Sequence, residues 1–146
     1  MEYLLKDLKK TIKKSYKELI QIKEKESVKP ISDDKWSKKE IIGHLIDSAS
    51  NNHQRFIRAQ LITNLIFPSY EQEKWVKLQN YQGERWLDLV ELWKNYNLHL
   101  LHVVSIIPED VMKRTCKIED KEPVSLLILF EDYINHLRHH LAQILD

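Results

Sequence analysis

The chain has 146 residues, 42% of them hydrophobic, and 23 basic side chains against 22 acids leave a net charge of +1. That length suits one domain spanning 1–146 with a real core, and the balanced charge excludes a strongly basic nucleic-acid footprint. Two glycines and four prolines leave few places to punctuate a sheet, so the composition favours helices. Cys116 is the only cysteine, which rules out an intrachain disulfide and a multi-cysteine zinc site. Charges at Glu2, Lys6 and Asp7 interrupt what would be the apolar part of a signal peptide. No apolar run approaches the ~20 residues needed to cross a bilayer. The expectation is a soluble, cytoplasmic protein that binds neither membrane nor nucleic acid.

In the first segment Leu5, Leu8, Ile12, Ser15 with Tyr16, Leu19 and Ile22 recur at three- and four-residue steps, an amphipathic helix that ends by Ser27. Lys6, Lys9, Lys10, Lys13, Lys14 and Lys17 line it and read as a solvated face. The second helical segment opens on Ser37-Lys38-Lys39-Glu40, the pattern of a capping box. Its inward stripe is Ile41, Leu45, Ala49, Asn52, Phe56, Ala59 and Thr63, and Pro68 marks its end. A break from Phe67 to Gly83 follows, too long for a simple connection between bundle helices. Tyr70, Trp75 and Tyr81 within it indicate a packed segment. The third helix runs from about Glu84 to Ile107, with Trp86, Leu89 and Val90, Trp93, Asn97, Leu100 and Val104 inward, and Pro108 closes it. The fourth starts near Pro123 or Ser125 and carries Phe130, Ile134, Leu137, Leu141 and Ile144 to the chain end. The pattern predicts an all-α protein, a four-helix bundle.

Seven histidines are distributed over these segments. Rotation of about 100° per residue puts His136 and His140 on one flank of the last helix's stripe, one turn apart, where two imidazoles can share a metal ion. His139 points away to solvent. On the second helix His44 lies on a flank with Ile41, Ser48 and Arg55, whereas His53 lies on the other. His102 faces away from the third helix's core, and His99 is marginal. If the second and fourth helices are antiparallel, His44, His136 and His140 form a three-histidine site. Histidine pairs at this spacing also occur with no ligand, and boundary histidines often only cap a core.

Two stretches carry a family resemblance: Trp36-Ser37-Lys38-Lys39-Glu40-Ile41-Ile42-Gly43-His44-Leu45-Ile46-Asp47-Ser48 and Tyr133-Ile134-Asn135-His136-Leu137-Arg138-His139-His140-Leu141-Ala142-Gln143-Ile144. Pro68-Ser69-Tyr70 with Trp75, and Leu92-Trp93 with Tyr96-Asn97, support them. In these the chain resembles the DinB/YfiT-like family of small four-helix-bundle metalloproteins, over nearly its whole length. The resemblance implies a long crossover between the second and third helices. It also implies a divalent metal (nickel, zinc or iron) on the positions of His44, His136 and His140. Relatives include metal-dependent hydrolases and S-transferases that use low-molecular-weight thiols such as bacillithiol or mycothiol.

The expected chemistry is therefore transfer or hydrolysis on a small-molecule substrate, with open metal positions for water or thiol. Ser48, Tyr133 and Asn97 are the candidate substrate-binding groups; Asn97 has the rival reading of a satisfied core amide. Asp132 and Asp47 are candidates to orient the imidazoles, or simply solvated charges. Cys116, beside Lys113, Arg114 and Lys117, is a weak candidate nucleophile, as a lone loop cysteine. The rival to an enzyme is a non-catalytic metal- or ligand-binding bundle. Pairing through exposed helix faces makes a homodimer an open expectation.

Overall fold

A computed structural model describes all residues, 1–146. Four long helices form the bundle: α1 (Glu2–Leu19), α3 (Lys38–Leu61), α5 (Trp86–Ser105) and α7 (Leu126–Leu145). Shorter pieces join them: α2 (Glu24–Ser27), β1 (Leu65–Phe67), α4 (Gln72–Gln79), a 3₁₀ turn (Tyr81–Gly83), α6 (Glu109–Met112), β2 (Thr115–Ile118) and β3 (Val124–Ser125). The predicted inward stripes of α3, α5 and α7 are buried except for Thr63, which lies exposed beyond the end of α3; Asn52 and Asn97 are their polar members.

The long helices pack as a ring in the order α1, α5, α3, α7. Trp86 Nε1 donates to Leu19 O at 2.9 Å, so the start of α5 meets the end of α1 and these two run antiparallel. Lys38 Nζ donates to Ile144 O, so the start of α3 meets the end of α7. Lys39 at the start of α3 donates to the Glu84 carbonyl just before α5, and His53 lies beside Tyr96 and His99 further along both helices, so α3 and α5 run the same way. Two parallel neighbours cannot be joined by a tight turn, which is why the chain needs its long crossover.

That crossover is more ordered than a break. It contains α4 and the 3₁₀ turn, and Tyr81 is buried on α3. Gly43 makes the seat: a Cβ at this position would lie 2.1 Å from the Tyr81 ring. Tyr81 Oη donates to Asp47 Oδ1 at 2.7 Å, and Gln79 Nε2 donates to the same oxygen at 2.7 Å. Lys39, 2% exposed, pairs with Glu24 and donates to the carbonyls of Gln82 and Glu84, tying α2 and the crossover to the start of α3.

The helical expectation misses a small sheet. β1 pairs parallel with β2, Leu65 opposite Cys116, and β3 pairs antiparallel with β2. Cys116 is thus a buried strand residue instead of a loop thiol, and burial pushes its pKa up. Strands this short show no alternation to read, and β1 lies about fifty residues from its partner.

Candidate metal centre

The end of the bundle where the crossover docks holds three imidazoles. The capping box starts α3 as its sequence predicts: Ser37 Oγ accepts from Glu40 N at 3.2 Å, and Glu40 Oε2 accepts from Ser37 N at 2.8 Å. That start sets the phase that turns His44 inward, fully buried beneath the Trp36 ring at 5.1 Å. From α7, His136 and His140 reach across to it, half-buried, with ring centroids 4.6 Å apart. One ring nitrogen from each of the three lies within 4.8 Å of the others. His44 Nε2 stands 3.0 Å from His136 Nε2. Two nitrogens on one tetrahedral ion, each at ~2.0–2.1 Å, stand about 3.3 Å apart, so this edge is at ligand spacing.

The electrostatics suit ligation. Burial, with the neighbouring imidazoles adding to it, pushes His44 down to about 3 and His136 down to about 4, and burial lowers His140 too. All three are neutral near pH 7, the form that binds a metal. His140 Nδ1 faces Gln143 Oε1 at 2.8 Å. An amide oxygen only accepts, so Nδ1 carries the proton and Nε2 keeps its lone pair free. Ser48 Oγ lies 3.5 Å from His136 Nδ1. His44 Nδ1 is buried with no partner. Three neutral nitrogen donors at this spacing fit a divalent ion.

Two clefts meet at the cluster. One, of about 290 Å³, is lined by Ser48, Asn52, Arg55, Tyr70, Tyr133 and His136, with Asp132 also on its wall. The other, of about 420 Å³, is lined by Trp36, Ile41, Glu73, His140 and Gln143.

Of the candidate substrate-binding groups, Ser48 and Tyr133 line the first cleft, and Asn97 does not. Asn97 is fully buried behind Tyr133, donating to Trp93 O at 2.8 Å and accepting from Tyr133 Oη. Its hydrogen bonds are used within the core. Asp47 is not an imidazole partner either: the hydrogen bonds of its carboxylate go to Tyr81 and Gln79. Asp132 is exposed and hydrogen-bonds to no histidine; Gln143 makes such a contact instead. His139 is exposed, as its phase predicts. Arg55 and Tyr70 were not among the sequence candidates. Arg55 was visible as a charged residue seven positions beyond Ser48 on one helix face, whereas Tyr70 reaches the cleft from an irregular segment with no period.

A family model described as the DinB superfamily matches residues 8–144. A protein of Oceanobacillus iheyensis named "Putative metal-dependent hydrolase" is 32% identical over 111 residues, covering 75% of this chain and 63% of that protein. One of the same name from Halalkalibacterium halodurans is 24% identical over 125 residues, covering 86% and 72%. YfiT from Bacillus subtilis, described as "a probable metal-dependent hydrolase with an unusual four-helix bundle topology", matches with a TM-score of 0.89 at 19% identity, over 98% of this chain and 82% of YfiT. The structure of a mycothiol-dependent maleylpyruvate isomerase matches with a TM-score of 0.81 at 12% identity, over 98% and 60%. At these identities the solved structures speak for the fold. The chain spans less than two thirds of the Oceanobacillus protein and of the isomerase.

Proposed function

The chain belongs to the DinB superfamily, and on that premise we propose that it is a divalent-metal-dependent hydrolase of a small molecule, with His44, His136 and His140 as the metal ligands. The observation that carries this reading is the meeting of three neutral imidazoles, of which His136 lines one cleft and His140 another. The relatives named as metal-dependent hydrolases support it. A nickel, zinc or iron dication held by these nitrogens would supply Lewis acidity for activating water or a thiol near neutral pH.

The chain's own groups do the rest. Burial keeps the imidazoles unprotonated, and Gln143 holds His140 in its ligand tautomer. Ser48 and Tyr133 line the wall where a substrate lies against His136. Tyr70, pushed up to about 12 chiefly by burial, stays a phenol at neutral pH, with an O–H available to a substrate. Asp132 is the carboxylate on that wall available to accept a proton.

A second reading is transfer to a low-molecular-weight thiol. One feature favours it: His136 borders one cleft and His140 the other, so two substrates have separate approaches to the cluster. The deciding experiment loads tag-free protein with zinc, nickel or iron(II) and measures hydrolysis of a 4-nitrophenyl ester beside conjugation of bacillithiol to a generic electrophile. Hydrolysis without thiol, lost in His136→Ala, supports the first reading, and conjugation alone supports the second. Metal uptake with neither reaction supports the non-catalytic metal-binding bundle. Failure to take up any divalent metal overturns both enzymatic readings.

A further inference from the structure

Two basic side chains of this protein are more than nine-tenths buried, and they are treated differently. Lys39 has the Glu24 carboxylate and two backbone carbonyls around its ammonium group. Arg55, 7% exposed, has no carboxylate within salt-bridge distance. A guanidinium carries five N–H donors. Here one terminal nitrogen reaches Asn52 Oδ1 at 3.4 Å, and Nε is buried with no partner. The group lies over the Phe67 ring at 5.3 Å, which fixes its plane without neutralising it. Its ionisable neighbours do not serve as counter-ions, because burial holds both Tyr70 and Cys116 in their neutral forms.

A buried, unpaired cation is expensive, and an apolar side chain of similar size would fill the space without that cost. Arg55 also lines the cleft that His136 borders. His44, Ser48, Asn52 and Arg55 follow one another at four- and three-residue steps down one face of α3, leading from the histidine cluster into the cleft. The missing counter-charge therefore has an entry route and a planar, multidentate receptor.

We propose that Arg55 is the anion-recognition residue of this cleft, so that the substrate taken at the three-histidine site carries a carboxylate or phosphate group remote from its reacting centre. This rests on the metal-site reading for the word substrate, but anion recognition itself is testable without metal. Asp132 and Lys121 lie on the wall of the same cleft, both exposed and of opposite charge, so the buried guanidinium of Arg55 is the cleft's uncompensated charge.

The test is an NMR titration of the metal-free chain, residues 1–146, with glutarate, inorganic phosphate and neutral glutaramide, repeated after zinc loading. Glutarate or phosphate should shift the amides of Asn52, Arg55 and Tyr70, and glutaramide should not; the tighter of the two anions identifies the oxyanion class. Arg55→Met should weaken the anion roughly tenfold or more, since charge-assisted hydrogen bonds contribute about 1.5–3 kcal/mol, and Arg55→Lys should fall between. Equal binding of glutaramide and glutarate, no binding of either anion at millimolar concentration, or unchanged affinity in Arg55→Met would each overturn the proposal. If Arg55→Met does not fold, the comparison of glutarate with glutaramide on the wild type and the Arg55→Lys affinity decide. Metal-free protein that binds glutarate through Arg55 but never takes up metal sinks the metal reading alone. Protein that takes up metal but shows no Arg55-dependent anion binding sinks this one alone.

Discussion

His44 Nε2 and His136 Nε2 face each other at 3.0 Å across the seam between α3 and α7. Both rings are held far below the usual imidazole range, chiefly by burial, so this pair stays uncharged in the folded chain where the unfolded chain would protonate. The sign follows by linkage: the unfolded state binds more protons below about pH 6.5, so stability is full above that value and falls as pH drops towards 4. For fully buried His44 the slope approaches ~1.4 kcal/mol per pH unit, and half-buried His136 adds less. Asp47, raised by burial, opposes this, because its folded carboxyl takes up a proton before the unfolded one does. Urea unfolding of metal-free protein between pH 7.5 and 4.5 should show the decline, and His44→Gln should flatten it. A level profile down to pH 5 would contradict the buried, neutral pair.

Gly43 and Tyr81 occupy adjoining space with no allowance for a methyl group. Gly43→Ala gains about 1 kcal/mol of helix propensity but drives a Cβ into the ring, and overpacking of this kind costs about 1–3 kcal/mol. The overlap involves the ring's near edge, which cannot swing aside, so a net loss of stability is expected. Adding Tyr81→Ala should recover part of that loss in a double-mutant cycle. Additive losses would show that the two residues do not compete for this space.

Gln143 orients His140 through its amide oxygen. Removing such a partner commonly weakens metal binding 10–100-fold. Gln143→Ala should therefore raise the dissociation constant for zinc by about that range in a competition titration with a chromophoric chelator. An unchanged constant would mean that His140 is oriented by packing alone.

Cys116 is fully buried in β2 with a raised pKa. The folded protein should react with a thiol reagent only at the rate of its own opening, and Cys116→Ala should retain any activity while losing stability. Rapid labelling under native conditions would contradict the strand assignment.

The bundle was legible in the sequence because Phe130, Ile134, Leu137, Leu141 and Ile144 on α7, and the matching stripes of α3 and α5, repeat over about four to five turns. The same phase placed His44 on a flank of α3, His136 and His140 on one flank of α7 and His139 outside; that the two flanks face each other follows from the antiparallel packing of α3 and α7. The sheet was not legible, because two to four residues per strand carry no period and pairing is decided by contacts far away in the chain. α4 was hidden for a related reason: it is eight residues long with one buried side chain, Val76. The role of Asp47 depended on where the crossover lands, and that is set by Tyr81 against Gly43.

The most direct test of the account is metal stoichiometry in protein purified without a histidine tag, after zinc loading and removal of excess ion. Wild-type protein and His139→Ala should each hold about one zinc per chain by mass spectrometry of the metal, while His44→Ala, His136→Ala and His140→Ala, checked for folding by circular dichroism, should each hold little or none. Equal retention by His136→Ala and His139→Ala, or no metal in the wild type, would contradict it.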